Sequence, residues 1–200
     1  MTSPAADEGS PPRPTHGAFA ILAVCTGNIC RSPMVEHLLR DALASAPGST
    51  PFEVGSAGVR GWDGAPMDPP AAAELRRLGG DPSGFRGRSF SAVLGERADL
   101  ILTATADHRR LVLQEVPQAL HRTFTLLEFA HLVSAVDGVT EAAGDPPELV
   151  SRASAHRGAA RIDAYDLGDP YGQPAAVHRR TAELARAAVG EISGALTARG

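Results

Sequence analysis

The chain spends only two cysteines in 200 residues, and both stand in one short stretch, VCTGNICRSP (24–33), with an arginine. Cys25 precedes Arg31 by six positions, and Ser32 follows. A thiolate can attack phosphorus. A planar guanidinium can hold two oxygens of a tetrahedral oxyanion at once, which a lysine cannot, and a neighbouring hydroxyl can stabilise the sulfur when it leaves. The types and spacing therefore point to thiol-based chemistry on a phosphoryl group.

Such chemistry needs a scaffold, and the flanking residues supply one. An apolar run over 18–24 stops at Cys25, and a helical pattern starts after Pro33, so the stretch joins a buried strand to a helix. A loop closing onto a helix N-terminus turns consecutive N–H groups into one hollow, where the helix dipole adds positive potential. Thr26, Gly27, Asn28, Ile29 and Cys30 would line this anion cradle. Gly27 and Asn28 tolerate the left-handed backbone that a nest requires, and Pro33 suits a first helical turn. The same surroundings favour the thiolate of Cys25. GxxxxGK[ST] is absent and no lysine occurs nearby, so nucleotide binding is not indicated.

Further along, strands alternate with helices. The periodicity predicts a helix with Val35, Leu38, Leu39, Ala42 and Leu43 on one face, a strand over 52–57 and a helix over 70–78 ended by Gly79 and Gly80. A third strand over 98–104 leads into a helix opening at Asp107, with Leu111, Val112 and Val116 on one face. A weaker strand lies at 123–126, a helix at 127–136, another at 146–156, and a closing helix carries Val177, Leu184, Ala188, Ile192 and Leu196. This alternation means an α/β, doubly wound, four-stranded parallel sheet flanked by helices, with ligands bound at the carboxyl ends of the strands. Residues 1–16 are rich in Pro, Ser, Ala and acid and are read as a disordered tail. Residues 17–200 form a single domain.

Composition narrows the function classes. The chain has 43% hydrophobic and 21% charged residues, as one globular domain should. A formal charge of −4 and a pI near 6.0 argue against a nucleic-acid binder. No long apolar run or secretion signal is present, so neither a membrane partner nor export is expected, and the location read is cytoplasmic. Two cysteines make no disulfide framework, and the seven histidines are scattered without ligand spacing, so no metal, no cofactor and no histidine role is assigned. Arg76, Arg77, Arg109 and Arg110 are expected on solvated helix faces.

VCTGNICRSP resembles the signature of the low-molecular-weight protein tyrosine phosphatases, C-x-G-N-x-C-R-S-P after the first strand. The resemblance spans about residues 17–199. It implies the phosphotyrosine phosphatase I fold, a protein-tyrosine phosphatase working through a cysteinyl-phosphate intermediate, a phosphotyrosine protein as substrate and inorganic phosphate as product. That family takes its general acid from a D-P dipeptide before the last helix, which matches Asp169 and Pro170 in DLGDPYG (166–172), with Tyr171 as the aromatic flanking the substrate ring. Trp62 resembles an aromatic in the loop lining the mouth. The chain departs from the family in its N-terminal extension and in an insertion-like stretch near 137–164.

Chemistry gives Asp169 the same task without the family. Protonating a departing phenolate is worth typically 10²–10⁴-fold, and Pro170 stiffens the backbone before it. A turn or helix-start aspartate is the bland alternative; Asp166 and Asp163 compete less well because neither precedes proline. Cys30 either packs or traps an oxidised Cys25 sulfenate as a disulfide.

Three other activities share these features. An arsenate reductase of this fold would need cysteines beyond Cys30 to relay a disulfide outward. A protein arginine phosphatase would share the loop and differ at the residue between Asn28 and Cys30, where a threonine is typical and this chain has Ile29. A phosphate-binding module without turnover would be expected to lack Cys25 or Asp169.

Overall fold

The structure, a computed structural model, describes residues 17–44, 51–159 and 165–198. The tail read at 1–16, Asp163 and the end of the 137–164 stretch (160–164) lie outside the described residues. In chain order the elements are β1 (Phe19–Cys25), α1 (Arg31–Ala44), β2 (Phe52–Gly58), α2 (Pro69–Arg77), α3 (Ala92–Arg97), β3 (Leu100–Thr103), α4 (Ala106–Glu115), β4 (Thr123–Thr125), α5 (Leu126–Ala135), α6 (Pro146–Ala155) and α7 (Ala175–Thr197). No described helix is long and apolar enough to cross a membrane.

The sheet is parallel throughout, in the order β2-β1-β3-β4. The chain winds from β1 to β2 on one side and from β3 to β4 on the other, so the switch point falls between β1 and β3. Cys25, the last residue of β1, stands there, opposite Gly58 of β2. Strand alternation divides the core. Ile21 and Ala23 face the larger cluster, which holds side chains of α1, α2, α5, α6 and α7, whereas Leu22 and Val24 face a smaller one with Ile101, Val112 and Val116. Helices thus cover both faces, and the expected doubly wound fold is the fold found.

Local chemistry explains most boundaries. Gly79, at φ 94°, sits just past α2, where its N–H meets the Arg76 carbonyl at 3.0 Å and Gly80 N–H meets that of Leu75 at 3.0 Å. That pair of bonds is a Schellman ending. Thr125 and Glu128 cap α5 reciprocally, and the Asp145 side chain accepts from Glu148 N–H at the start of α6. Two expectations need correction. The periodicity misses α3, whose six residues are too few to show a repeat although Ser91 caps it. Leu184 is exposed, because the buried stripe of α7 runs through Ala182, Ala185, Val189, Ile192 and Leu196, small enough over two turns for close packing.

Candidate active site

The turn after β1 is built from its carbonyls outward. Cys25 O accepts from Val59 N–H at 2.9 Å, Thr26 O from Arg60 at 2.9 Å, Gly27 O from Trp62 at 3.0 Å and Ile29 O from Asp68 at 2.9 Å. With these carbonyls engaged by the segment after β2, the N–H groups of Thr26 to Cys30 donate to no carbonyl in the backbone bonds outside the regular elements of the described residues. Gly58 makes the close approach possible: a Cβ there would stand 2.4 Å from Thr26 O. Of the two residues expected to turn left-handed, only Asn28 does so, at φ 56°. Gly27 is not in that region; a Cβ on it would only touch Ile29 and Trp62, from 3.6 Å.

Behind the turn runs a buried polar chain. Ser32 Oγ lies 3.0 Å from Cys25 Sγ and accepts from Asn28 Nδ2 at 2.9 Å. The serine proton has two acceptors within reach, Cys25 Sγ and, at 3.3 Å, Ala57 O. Asn28 Nδ2 also donates to Ser56 Oγ at 2.7 Å, while Asn28 Oδ1 accepts from Arg88 N–H at 2.8 Å. Ser56 in turn donates to the Glu36 carboxylate, which Arg40 pairs from outside. Asn28 is fully buried, so one side chain with every polar group satisfied fixes both the left-handed turn and the partner of the thiol.

Arg31 opens α1 and folds back under the turn, only 4% exposed. Its Nη1 donates to Leu167 O at 3.2 Å, and its Nη2 to Thr26 Oγ1 at 3.2 Å and to Asp169 Oδ2 at 2.7 Å. Its buried Nε has no partner among the described residues. Asp169 comes from the segment before α7, anchored where Leu167 N–H meets Ala104 O at 2.8 Å. Asp169 Oδ1 accepts from Tyr171 N–H at 3.2 Å, so the turn role and the position beside Arg31 coexist. Asp166 is spent elsewhere, accepting from Ala106 N–H at 2.8 Å at the start of α4.

Trp62 and Tyr171, both half exposed, meet edge to face with centroids 5.6 Å apart. They form the rim of a pocket of about 100 Å³ that reaches Cys25, Ile29 and Arg31. Cys25, Thr26, Gly27, Ile29, Cys30, Arg31, Trp62, Asp169 and Tyr171 therefore meet at this pocket, with Asn28 and Ser32 behind the turn. Cys30 is buried, and burial together with Asp68 beside it pushes its thiol up, so at neutral pH it stands as a thiol. Among the described residues no cluster of three or more His, Cys, Asp or Glu has metal-holding geometry.

Two residues depart from the sequence reading. Arg109 is half buried, 3.7 Å from the buried Glu128, and does not sit on a solvated face. His108, given no role, is buried against the turn, with Nε2 2.8 Å from Thr26 Oγ1 and Nδ1 2.6 Å from Thr105 Oγ1. Ligand spacing could not reveal it. Thr105-x-x-His108 marks the cap of α4 at the carboxyl end of β3, and no spacing marks its contact with Thr26.

The family model described as Low molecular weight phosphotyrosine protein phosphatase matches residues 20–146. A probable low molecular weight protein-tyrosine-phosphatase, EpsP of Ralstonia solanacearum, is 41% identical over 54% of this chain and 70% of its own length. A protein-arginine-phosphatase of Geobacillus stearothermophilus is 34% identical over 66% of this chain and 83% of its own. The crystal structure of the tyrosine phosphatase Wzb from Escherichia coli K30 in complex with sulphate is similar with a TM-score of 0.65 and 25% identity, covering 88% of this chain and 96% of that one. With the thiol, arginine and turn in the arrangement described, and the family model spanning more than half of the sequence, the chain belongs to the low molecular weight phosphotyrosine protein phosphatase family.

Proposed function

We propose that the protein hydrolyses phosphotyrosine in proteins through a cysteinyl-phosphate intermediate, with Cys25 as nucleophile, Arg31 as oxyanion clamp and Asp169 as general acid and then base. Sγ of Cys25 attacks phosphorus while the bond to the tyrosyl oxygen breaks, and Asp169 gives its proton to that oxygen. Water then attacks the phosphorus of the cysteinyl phosphate, Asp169 takes the water's proton, the S–P bond breaks, and inorganic phosphate leaves as Ser32 donates to the returning thiolate. The observation that carries this reading is a guanidinium 4% exposed, with Nε unpartnered among the described residues, at a pocket that also reaches the thiol. A buried donor without a partner is costly, and a phosphoryl oxygen supplies one. As the phosphoryl group takes up the fork, it competes with Asp169 for Nη2 and frees the carboxyl for its proton.

The arginine phosphatase among the relatives makes phosphoarginine the second reading. Ile29 speaks against it: its buried apolar side chain forms part of the pocket wall and offers nothing to a phosphoguanidinium's N–H groups. The test compares peptides carrying phosphotyrosine, phosphoarginine and phosphoserine with the parent and with Cys25→Ser. The parent should prefer phosphotyrosine, since serine's short stem cannot bring phosphate to the thiol while a ring fills the rim. Cys25→Ser should lose turnover and still bind tungstate by calorimetry; turnover equal to the parent's would sink the mechanism.

A further inference from the structure

We infer that His108 is a positioning residue for Arg31, acting through the hydroxyl of Thr26. The inference rests on the reading of Arg31 as the oxyanion clamp and adds to it the group that aims the clamp. Three contacts form one line: Thr105 Oγ1 to His108 Nδ1 at 2.6 Å, His108 Nε2 to Thr26 Oγ1 at 2.8 Å, and Arg31 Nη2 to Thr26 Oγ1 at 3.2 Å. Hydrogen-bond bookkeeping shows that the line can be fully satisfied with a neutral ring. A hydroxyl has one proton and two lone pairs, and Thr26 Oγ1 already spends a lone pair on Arg31. Either neutral tautomer satisfies every contact: Thr26 donates to Nε2 while Nδ1–H donates to Thr105 Oγ1, or Nε2–H donates to Thr26 while Thr105 donates to Nδ1, with Thr105 Oγ1 in both cases accepting the His108 backbone N–H at 3.2 Å as the cap of α4. In both, Thr26 Oγ1 serves Arg31 as an acceptor.

The neutral ring is the one the site favours. Burial, and then the Arg31 charge, lower His108 to about 4. A charged imidazolium would have to donate from Nε2, use a lone pair of Thr26 and place a second cation near the guanidinium. The geometry has a consequence for Arg31. Its fork is held at Nη1 by the Leu167 carbonyl and at Nη2 by Thr26, while the third contact, Asp169, is the one a phosphoryl group contests. Once Asp169 turns to its proton transfer, Thr26 and Leu167 alone fix the guanidinium plane. A small rotation of that plane misplaces the donors from the oxygens on which charge develops.

The experiment measures kcat and KM on an aryl phosphate for the parent, His108→Leu, Thr26→Val, the double variant and His108→Gln, with circular dichroism and Tm for each. Each single substitution should lower kcat about 10-fold and change KM less than about 3-fold, since the aim of a donor matters most in the transition state. The double variant should fall no further than the worse single one, because His108 acts only through Thr26. His108→Gln, whose amide can meet Thr26 Oγ1 as donor or as acceptor, should recover most of the lost kcat. Independent losses that multiply in the double variant, a kcat for His108→Leu within two-fold of the parent, or a Gln variant no better than Leu would each overturn the inference. If instead the parent has no phosphatase activity, or Arg31→Lys keeps near-parent rates, it is the reading of Arg31 itself that fails.

Discussion

The turn from Cys25 to Arg31 and the segment that carries Asp169 meet at one salt bridge and are built on opposite plans. In the turn, Cys25, Asn28, Cys30 and Arg31 are all buried, the carbonyls of Cys25, Thr26, Gly27 and Ile29 are tied to the segment after β2, and one asparagine side chain closes the rear. Asp169 is half exposed, and its carboxylate is held by Arg31 and one backbone N–H. Leu167, buried and bonded to Ala104, and Gly168, whose carbonyl accepts from Thr181 Oγ1 at 3.4 Å, anchor it from behind. The contrast matches two tasks. A nucleophile and an oxyanion clamp gain from being fixed before the substrate arrives, whereas a proton donor must change partners within each cycle.

The harshest way to break this contrast is to alter the fixed half. Arg31→Lys keeps the charge and removes the planar fork, so one nitrogen would have to serve Leu167 O, Thr26 Oγ1 and the phosphoryl oxygens together. We expect kcat on an aryl phosphate to fall on the order of 10³-fold, with the fold intact by circular dichroism. A loss under ten-fold would mean that the fork holds the turn together and does little else.

Altering the looser half should give a smaller and more selective effect. Asp169→Asn keeps an oxygen for Tyr171 N–H and removes the proton. For a phosphotyrosine peptide the loss in kcat should be about 10²-fold, and for nitrophenyl phosphate, whose leaving group scarcely needs protonation, within a few fold. An equal loss on both would assign Asp169 to holding Arg31 and not to proton transfer.

The same contrast decides what could be read from the sequence. The turn was legible because its chemistry is local: strand, nest residues, arginine and helix start follow one another within ten positions. Asp169 was legible through proline and through its place before the last helix, although it stands 138 positions beyond Arg31. His108 was not legible, because its contacts with Thr26 depend on β3 lying beside β1, which no spacing records. Arg109 was misread for a related reason: its half-buried state depends on Glu128 of the next helix. Leu184 shows the limit of periodicity, since the apolar stripe of α7 can be drawn through it or through neighbouring alanines, and packing against α1 and α5 chooses the alanines.

The finest test concerns the pocket wall, where the fixed turn meets the variable part of a substrate. Ile29 is 7% exposed and belongs to both the pocket lining and the larger core, and its carbonyl is bonded to Asp68 N–H at 2.9 Å whatever its side chain. A phenyl ring against this wall gains about 25 cal/mol for each Å² removed from water. The N–H groups of a phosphorylated guanidinium would lose water there without a partner, at about 1–3 kcal/mol for each group left unpaired. Ile29→Thr replaces part of the apolar side chain with a hydroxyl that can answer one such N–H. The ratio of kcat/KM for phosphotyrosine over phosphoarginine peptides should therefore narrow by about ten-fold, the equivalent of one satisfied donor. Because a core contact is also trimmed, Tm should fall by a few degrees, as roughly 1 kcal/mol of buried apolar packing implies. A ratio that does not move while Tm falls would show that Ile29 is a core residue that happens to border the pocket, and selectivity would then have to come from the Trp62 and Tyr171 rim.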